Sequence, residues 1–168
     1  MRQIVLSYFL VFGIIVYGFS SSENQIVLAL GTDPKSFNSV VSKESTTSEV
    51  LGLTFEGLTR IDGVSTEILP NLALSWKSEE NGLKWTFQLR DDVYWFDGKK
   101  FTSEDVVFTF NQLIFNPAVD TLLRDILIID NAPIQVKAIS PFEIQFILPK
   151  SFAPFLLLMS GVEILPKH

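Results

Sequence analysis

The chain has 168 residues, of which 47% are apolar, 19% charged and 12% aromatic, with a formal net charge of −6 and no cysteine. That length suits one ordinary domain, and 9 glycines with 8 prolines exclude collagen-like or low-complexity chains. The acidic balance opposes nucleic-acid binding, and the missing thiols exclude disulfides, thiol catalysis, iron–sulfur clusters and Cys-ligated zinc.

Residues 1–22 have the form of an export signal. Met1-Arg2-Gln3 is short and cationic, Ile4 to Phe19 is uncharged, and small residues follow at Gly18, Ser20, Ser21 and Ser22. The apolar run is short for a permanent anchor, which is the alternative. A lipid-modified signal needs a cysteine after the cut, so a soluble periplasmic protein is expected, with residues 23–168 as its mature part.

Gln25 to Leu30 is a short apolar run that predicts a buried strand ended by Gly31. Thr32-Asp33-Pro34-Lys35-Ser36 predicts a turn, because Pro34 biases Asp33 toward extended backbone. Val50, Leu51, Leu53, Phe55 and Leu58 recur with helical spacing and predict a helix from Ser45 to about Gly57. Pro70 excludes a central strand at Ile68 to Ala73.

From Lys84 to Arg90 the pattern alternates, with Trp85, Phe87 and Leu89 on one face. Glu80-Asn81-Gly82 predicts a tight turn pairing that strand with Leu74 to Lys77. Asp97-Gly98 marks another turn. Thr102 then caps a helix over Ser103 to Leu113, with Asp105 in capping-box position and Val106, Val107, Phe110, Leu113 and Ile114 as its buried stripe. Ile134 to Ile139 and Glu143 to Leu148 flank Ser140-Pro141 as a strand pair with Ile134, Val136, Ala138, Ile144, Phe146 and Leu148 on one face. Phe152 to Met159 predicts an apolar helix that belongs to the core or packs on further sequence. The expected class is mixed α/β.

Catalytic chemistry has little support. His168, the last residue, is the sole histidine, and neither G-x-x-x-x-G-K-[ST] nor G-x-G-x-x-G occurs. Glu79-Glu80, Asp91-Asp92 and Glu104-Asp105 are carboxylate pairs, but adjacent residues usually diverge, and acids in a first helical turn complement its dipole. Neither cofactor nor metal is implied. Trp76, Trp85, Trp95, Phe87 and Phe96 could line a ligand cleft, although alternation already assigns Trp85 and Phe87 to a core. Of the consecutive Trp95 and Phe96, one should face inward and one outward.

Six stretches in order resemble the N-terminal part of family 5 extracellular solute-binding proteins, the peptide/nickel-binding class that serves ABC importers. Gly31-Thr32-Asp33-Pro34-Lys35-Ser36-Phe37-Asn38 is similar to the family's opening "D-P-x-S-L-D-P" turn, and Phe55-Glu56-Gly57-Leu58 to "y-E-G-L". Leu69-Pro70-Asn71-Leu72-Ala73-Leu74-Ser75-Trp76 resembles "P-x-L-A-x-S-W", and Trp85 to Val93 resembles "W-T-F-x-L-R-x-x-V". Asp97 to Phe108 is similar to "D-G-x-x-F-T-A-E-D-V-x-F", and Ile164-Leu165-Pro166-Lys167-His168 to "I-L-P-K-H". Asn38, Ser39 and Phe96 depart from the family's usual Asp, Pro and His.

The resemblance implies a periplasmic-binding-protein-like type II fold, incomplete, with the start of the first lobe plus a subsidiary domain. It implies a peptide or other small solute as ligand, an inner-membrane ABC permease as partner, and a separate chain as one way to complete the second lobe. By matching position it places Asp33 near the ligand cleft, with Ser36 and Phe37 in the same loop; an ordinary turn acid beside Pro34 is the alternative. It also brings the loop from Asp120 to Asp125 toward the cleft. The rival functions are a vestigial or structural fragment without transport and a secreted hydrolase built on a carboxylate pair.

Overall fold

The structure is a computed structural model that describes residues 29–42 and 44–168. The expected signal segment and residues 25–28 of the expected first strand lie outside them. The chain divides into two units, Met1–Gly31 and Thr32–His168, and the regular elements described all belong to the second.

In chain order these are α1 (Ser45–Leu51), β1 (Thr59–Ile61), β2 (Ile68–Pro70), β3 (Ala73–Glu79), β4 (Lys84–Leu89), α2 (Ser103–Val107), α3 (Leu123–Ile126), β5 (Ile128–Ile129), β6 (Ala132–Pro133), β7 (Gln135–Ser140), β8 (Glu143–Ile147) and α4 (Phe155–Gly161). Four antiparallel strands form the main sheet in the order β3-β4-β8-β7. β1 pairs with β2, and β5 with β6, as separate two-stranded ribbons.

The alternating segment behaves as its pattern dictates. Phe87 and Leu89 of β4 are buried, and Trp85 is half-buried. Phe87 stands opposite Ile144 on β8. Phe146 gathers the core aromatics: its ring centroid is 5.5 Å from Phe87, 5.2 Å from Phe110 and 5.5 Å from Phe155. Edge-on contacts of this kind add to simple apolar burial. The β3–β4 turn uses left-handed backbone at Glu80, Asn81 and Gly82, as a tight reversal requires. Thr86, expected on the outer face, is nevertheless buried.

Thr102 caps α2 as expected. Its hydroxyl accepts from the Glu104 amide at 3.3 Å, and the Asp105 carboxylate accepts from the Thr102 amide at 2.9 Å. Beyond Val107 the expected helix continues, but as a π-helical stretch over Phe108–Ile114. Val106, Phe110 and Ile114 of the expected stripe are buried. Thr109 is also buried: its hydroxyl donates to Asp105 O at 2.9 Å and accepts from the Leu165 amide at 2.9 Å.

Two expected boundaries and one expected burial differ for identifiable reasons. α1 stops at Leu51, where the Thr54 hydroxyl and the Phe55 amide both bond the Leu51 carbonyl at 3.0 and 2.8 Å. Residues 56–58 then lie outside any helix, bonded to Ile164 on one side and to residues 71–73 on the other. Ala138 is exposed because β7 is an edge strand whose register shifts between Ala138 and Ser140. α4 begins at Phe155, three residues later than expected, after Pro154. Phe155 and Met159 are core, whereas Leu157 is exposed.

Candidate functional site

The site is built from three loops and one helix. After Pro34 the chain is folded by its own side chains: Ser36 Oγ accepts from the Asn38 amide at 3.1 Å, and Asn38 Oδ1 accepts from the Val40 amide at 3.1 Å. Buried Val40 anchors this loop, and the Thr32 and Thr46 hydroxyls meet at 3.0 Å, tying it to α1. The second loop precedes α3. Arg124 holds it, donating from Nε to Ile114 O at 2.9 Å and from its terminal nitrogen to the carbonyls of Asn116 and Val119. The third is the stretch after α4, where Val162 and Ile164 are buried on either side of Glu163.

These segments enclose a cavity of about 380 Å³. Ser39, Val40 and Ser42 come from the first loop, Ser45, Ser48 and Leu51 from α1, Thr121 to Leu123 from the second loop and its junction with α3, and Gly161 and Glu163 from the end of α4 and the third loop, with Glu44 just before α1. The polar wall is mostly hydroxyl, which donates or accepts as a ligand requires. Glu44 is engaged by Lys35 at 3.3 Å. Burial pushes the Glu163 carboxyl above the usual carboxylate range, opposed by a hydrogen bond from the Ser39 side chain.

Asp33 and Phe37 are exposed in the loop just before this wall, and Ser36 is half-buried there. None of the three lines the cavity; the residues immediately following them do. Of the Asp120–Asp125 loop, Thr121, Leu122 and Leu123 line it. Sequence reasoning missed Glu163, although an acid between two apolar residues, Val162 and Ile164, was a usable signal. Arg124 shapes its wall, so Arg124→Gln is expected to lower stability by about 1–3 kcal/mol. In the same variant, amide exchange should rise across residues 116–123 while the β4–β8 pairing stays protected.

A second cavity, of about 600 Å³, is apolar, with Phe55, Val93, Trp95 and Phe101 in its wall and Tyr94 and Phe96 at its rim. Phe96 is fully exposed and Trp95 half-buried, as their adjacency requires. Arg90 beside this cavity is held by Asp92 through two bonds of 2.8 Å, which raise the arginine pKa and lower that of the carboxyl. Three more of the paired carboxylates have structural partners. Glu79 faces Lys77 at 3.6 Å, Glu80 faces Lys84 at 3.7 Å, and Glu104 faces Lys167 at 2.8 Å. Among the described residues no group of three or more His, Cys, Asp or Glu side chains is placed to hold a metal ion. Among them, too, no helix is long and apolar enough to cross a membrane.

Known proteins share this fold and sequence. The family model of bacterial extracellular solute-binding proteins, family 5 Middle, matches residues 67–168, more than half of the chain. A stretch of 89 residues is 36% identical to the nickel-binding periplasmic protein of Escherichia coli (strain K12), covering 53% of this chain and 16% of that protein. Another of 94 residues is 31% identical to the periplasmic murein peptide-binding protein MppA of the same organism, covering 56% and 17%. The crystal structure of the ABC transporter substrate binding protein CtaP from Listeria monocytogenes superposes with a TM-score of 0.72 at 28% identity, over 81% of this chain and 27% of that one. The matched stretches thus span from about a sixth to about a quarter of these relatives.

Proposed function

This chain belongs to the bacterial extracellular solute-binding proteins of family 5, and we propose that it forms part of the receptor of an ABC importer for peptides or similar small solutes. The family consists of substrate-binding transport proteins, so the proposed task is capture and delivery. Residues 1–22 direct export to the periplasm in this reading, and residues 23–168 are the N-terminal part of the receptor, which hands its solute to an inner-membrane permease.

One observation carries the reading. The loop after Asp33, the helix α1, the Thr121–Leu123 loop and Glu163 meet around one cavity. Strand orders exist that would have put the first and third of these on opposite sides of the sheet. Asp33, Ser36 and Phe37 then form the lip of the site, next to the hydroxyl wall. A receptor of this kind buries its ligand by closing a second lobe over the first. That lobe, in continuous or separate sequence, covers the lip in the proposed working state.

The test is thermal unfolding of the full chain against a panel of di-, tri- and tetrapeptides. A peptide at a hundredfold excess over its Kd should add about 2.7 kcal/mol of stability and raise Tm by several degrees. If no peptide moves Tm at millimolar concentration, the receptor reading fails, and a structural fragment without transport function replaces it.

A further inference from the structure

Glu163 ties the loop after Asp33 to the chain beyond α4, and it does so where a charge is costly. The Ser39 side chain bonds its carboxyl, while Oε2 of the same group is buried, turned away from the cavity, and without a hydrogen-bond partner. The backbone on the Glu163 side is fixed. Val162 and Ile164 are 3% and 1% exposed, and the Ile164 amide donates to Glu56 O at 3.0 Å. The Ser39 side is lightly held: within residues 29–42 only Val40 is buried. A loop with so few buried anchors opens easily, and its bond to Glu163 is one of the contacts that keep it in place.

The charged groups around Glu163 do not offset its burial. Glu44, which shares the solute cavity with it, faces Lys35 at 3.3 Å. The second loop lines that cavity with Thr121, Leu122 and Leu123, none of them charged. On the other side, Glu56 and Arg60 line a separate cavity of about 340 Å³ together with Glu163. Among the described residues no cation is paired with the Glu163 carboxyl. As an anion it therefore has one oxygen with neither donor nor countercharge, a cost that the neutral acid largely escapes. We propose that Glu163 is a proton-operated clasp: protonated, it holds the Ser39 loop against the end of α4, and ionised, it lets the loop go. Burial raises the folded carboxyl above its ordinary value. The clasp thus contributes fully below that ordinary value and is lost as pH rises through the raised one. Ser39, Val40 and Ser42 are cavity wall, so acid favours solute capture and higher pH favours release. That consequence rests on the receptor reading; the clasp itself does not.

The test needs no solute. The full chain, with glutamate carboxyl carbons labelled for NMR, is titrated from about pH 4 to about pH 8, which spans and exceeds the ordinary glutamate range. Amide exchange of residues 39–42 is followed at each step. The Glu163 resonance should titrate above the ordinary range, and protection of residues 39–42, corrected for the intrinsic exchange rate, should fall severalfold as it does. In Glu163→Gln, which keeps the neutral shape, that fall should vanish while the β4–β8 pairing stays protected in both chains. A Glu163 resonance that titrates within the ordinary range overturns the clasp whether or not the variant folds, and so does a fall that persists in Glu163→Gln. Either result leaves the receptor reading standing, since peptide-induced stabilisation decides that separately. If no peptide raises Tm while the pH profile holds, the receptor reading fails and the clasp stands as a conformational device alone.

Discussion

Asp105→Ala should lower the stability of the chain by about 3 kcal/mol, far more than a surface acid would. The carboxylate is buried and serves three donors. Oδ2 accepts from the Thr102 amide at 2.9 Å and from Trp95 Nε1 at 3.4 Å, and Oδ1 accepts from the Lys167 amide at 2.9 Å. Removing it breaks the reciprocal half of the α2 cap, worth about 1–2 kcal/mol. It also strands the Lys167 amide and the indole in part-buried positions, each costing about 1 kcal/mol. Glu104→Ala is the control. Glu104 touches the same segment through an ion pair with Lys167, but both side chains are 56% exposed, and such pairs contribute about 0–1 kcal/mol. Chemical denaturation of both variants, read beside the amide protection of Lys167, separates the two residues. An Asp105→Ala chain within about 1 kcal/mol of wild type, no more than the cap alone would cost, would show that the carboxylate does not tie residues 165–168 to the helix.

The features legible in the sequence are those decided by neighbours along the chain. Alternation from Lys84 to Arg90 marks a strand because one face must be buried, and Phe87 and Leu89 are. Thr102 and Asp105 announce a helix start because the cap needs only three-residue spacing. The stretches that resemble the solute-binding family are largely such local devices, and for that reason they could be read in order. What was hidden depends on partners far away. Periodicity carries α1 to about Gly57, but the competing bonds from residues 71–73 and Ile164 hold residues 56–58 outside the helix. The switch from α to π after Val107 coincides with Thr109 bonding Leu165, 56 residues on. The cavity is half legible: the resemblance points to the loop after Asp33 and to the 120s loop, but the residues that line it are Ser39, Val40 and Ser42 rather than Asp33, Ser36 and Phe37. Glu163 carries a local signal, an acid between apolar Val162 and Ile164, but the unpaired oxygen of its carboxylate is a property of packing that no spacing encodes.

Gly57→Ala is expected to cost about 3 kcal/mol, at the upper end for an overpacked site, and to disturb the cavity as well. A β-carbon at Gly57 would lie 2.5 Å from Met159 O and 2.9 Å from Ser160 O, inside any tolerable contact with backbone. This segment has no room to retreat. Glu56 O accepts from the Ile164 amide at 3.0 Å, Gly57 O from Asn71 Nδ2 at 3.1 Å, and Leu58 O from the Ala73 amide at 2.9 Å. On the far side Thr59 Oγ1 donates to Leu156 O at 2.9 Å, so α4 is held against the same strand. The strain must therefore be relieved by moving the end of α4, whose last residue, Gly161, is cavity wall, as is Glu163 just beyond it. Stability and solute binding should fall together in Gly57→Ala. Gly63→Ala supplies the comparison, since a β-carbon there meets nothing within 4 Å, and both properties should stay near wild type. If Gly57→Ala melts with Gly63→Ala, the strand can yield without the helix, and Glu163 is positioned by something other than the contact of residues 56–59 with α4.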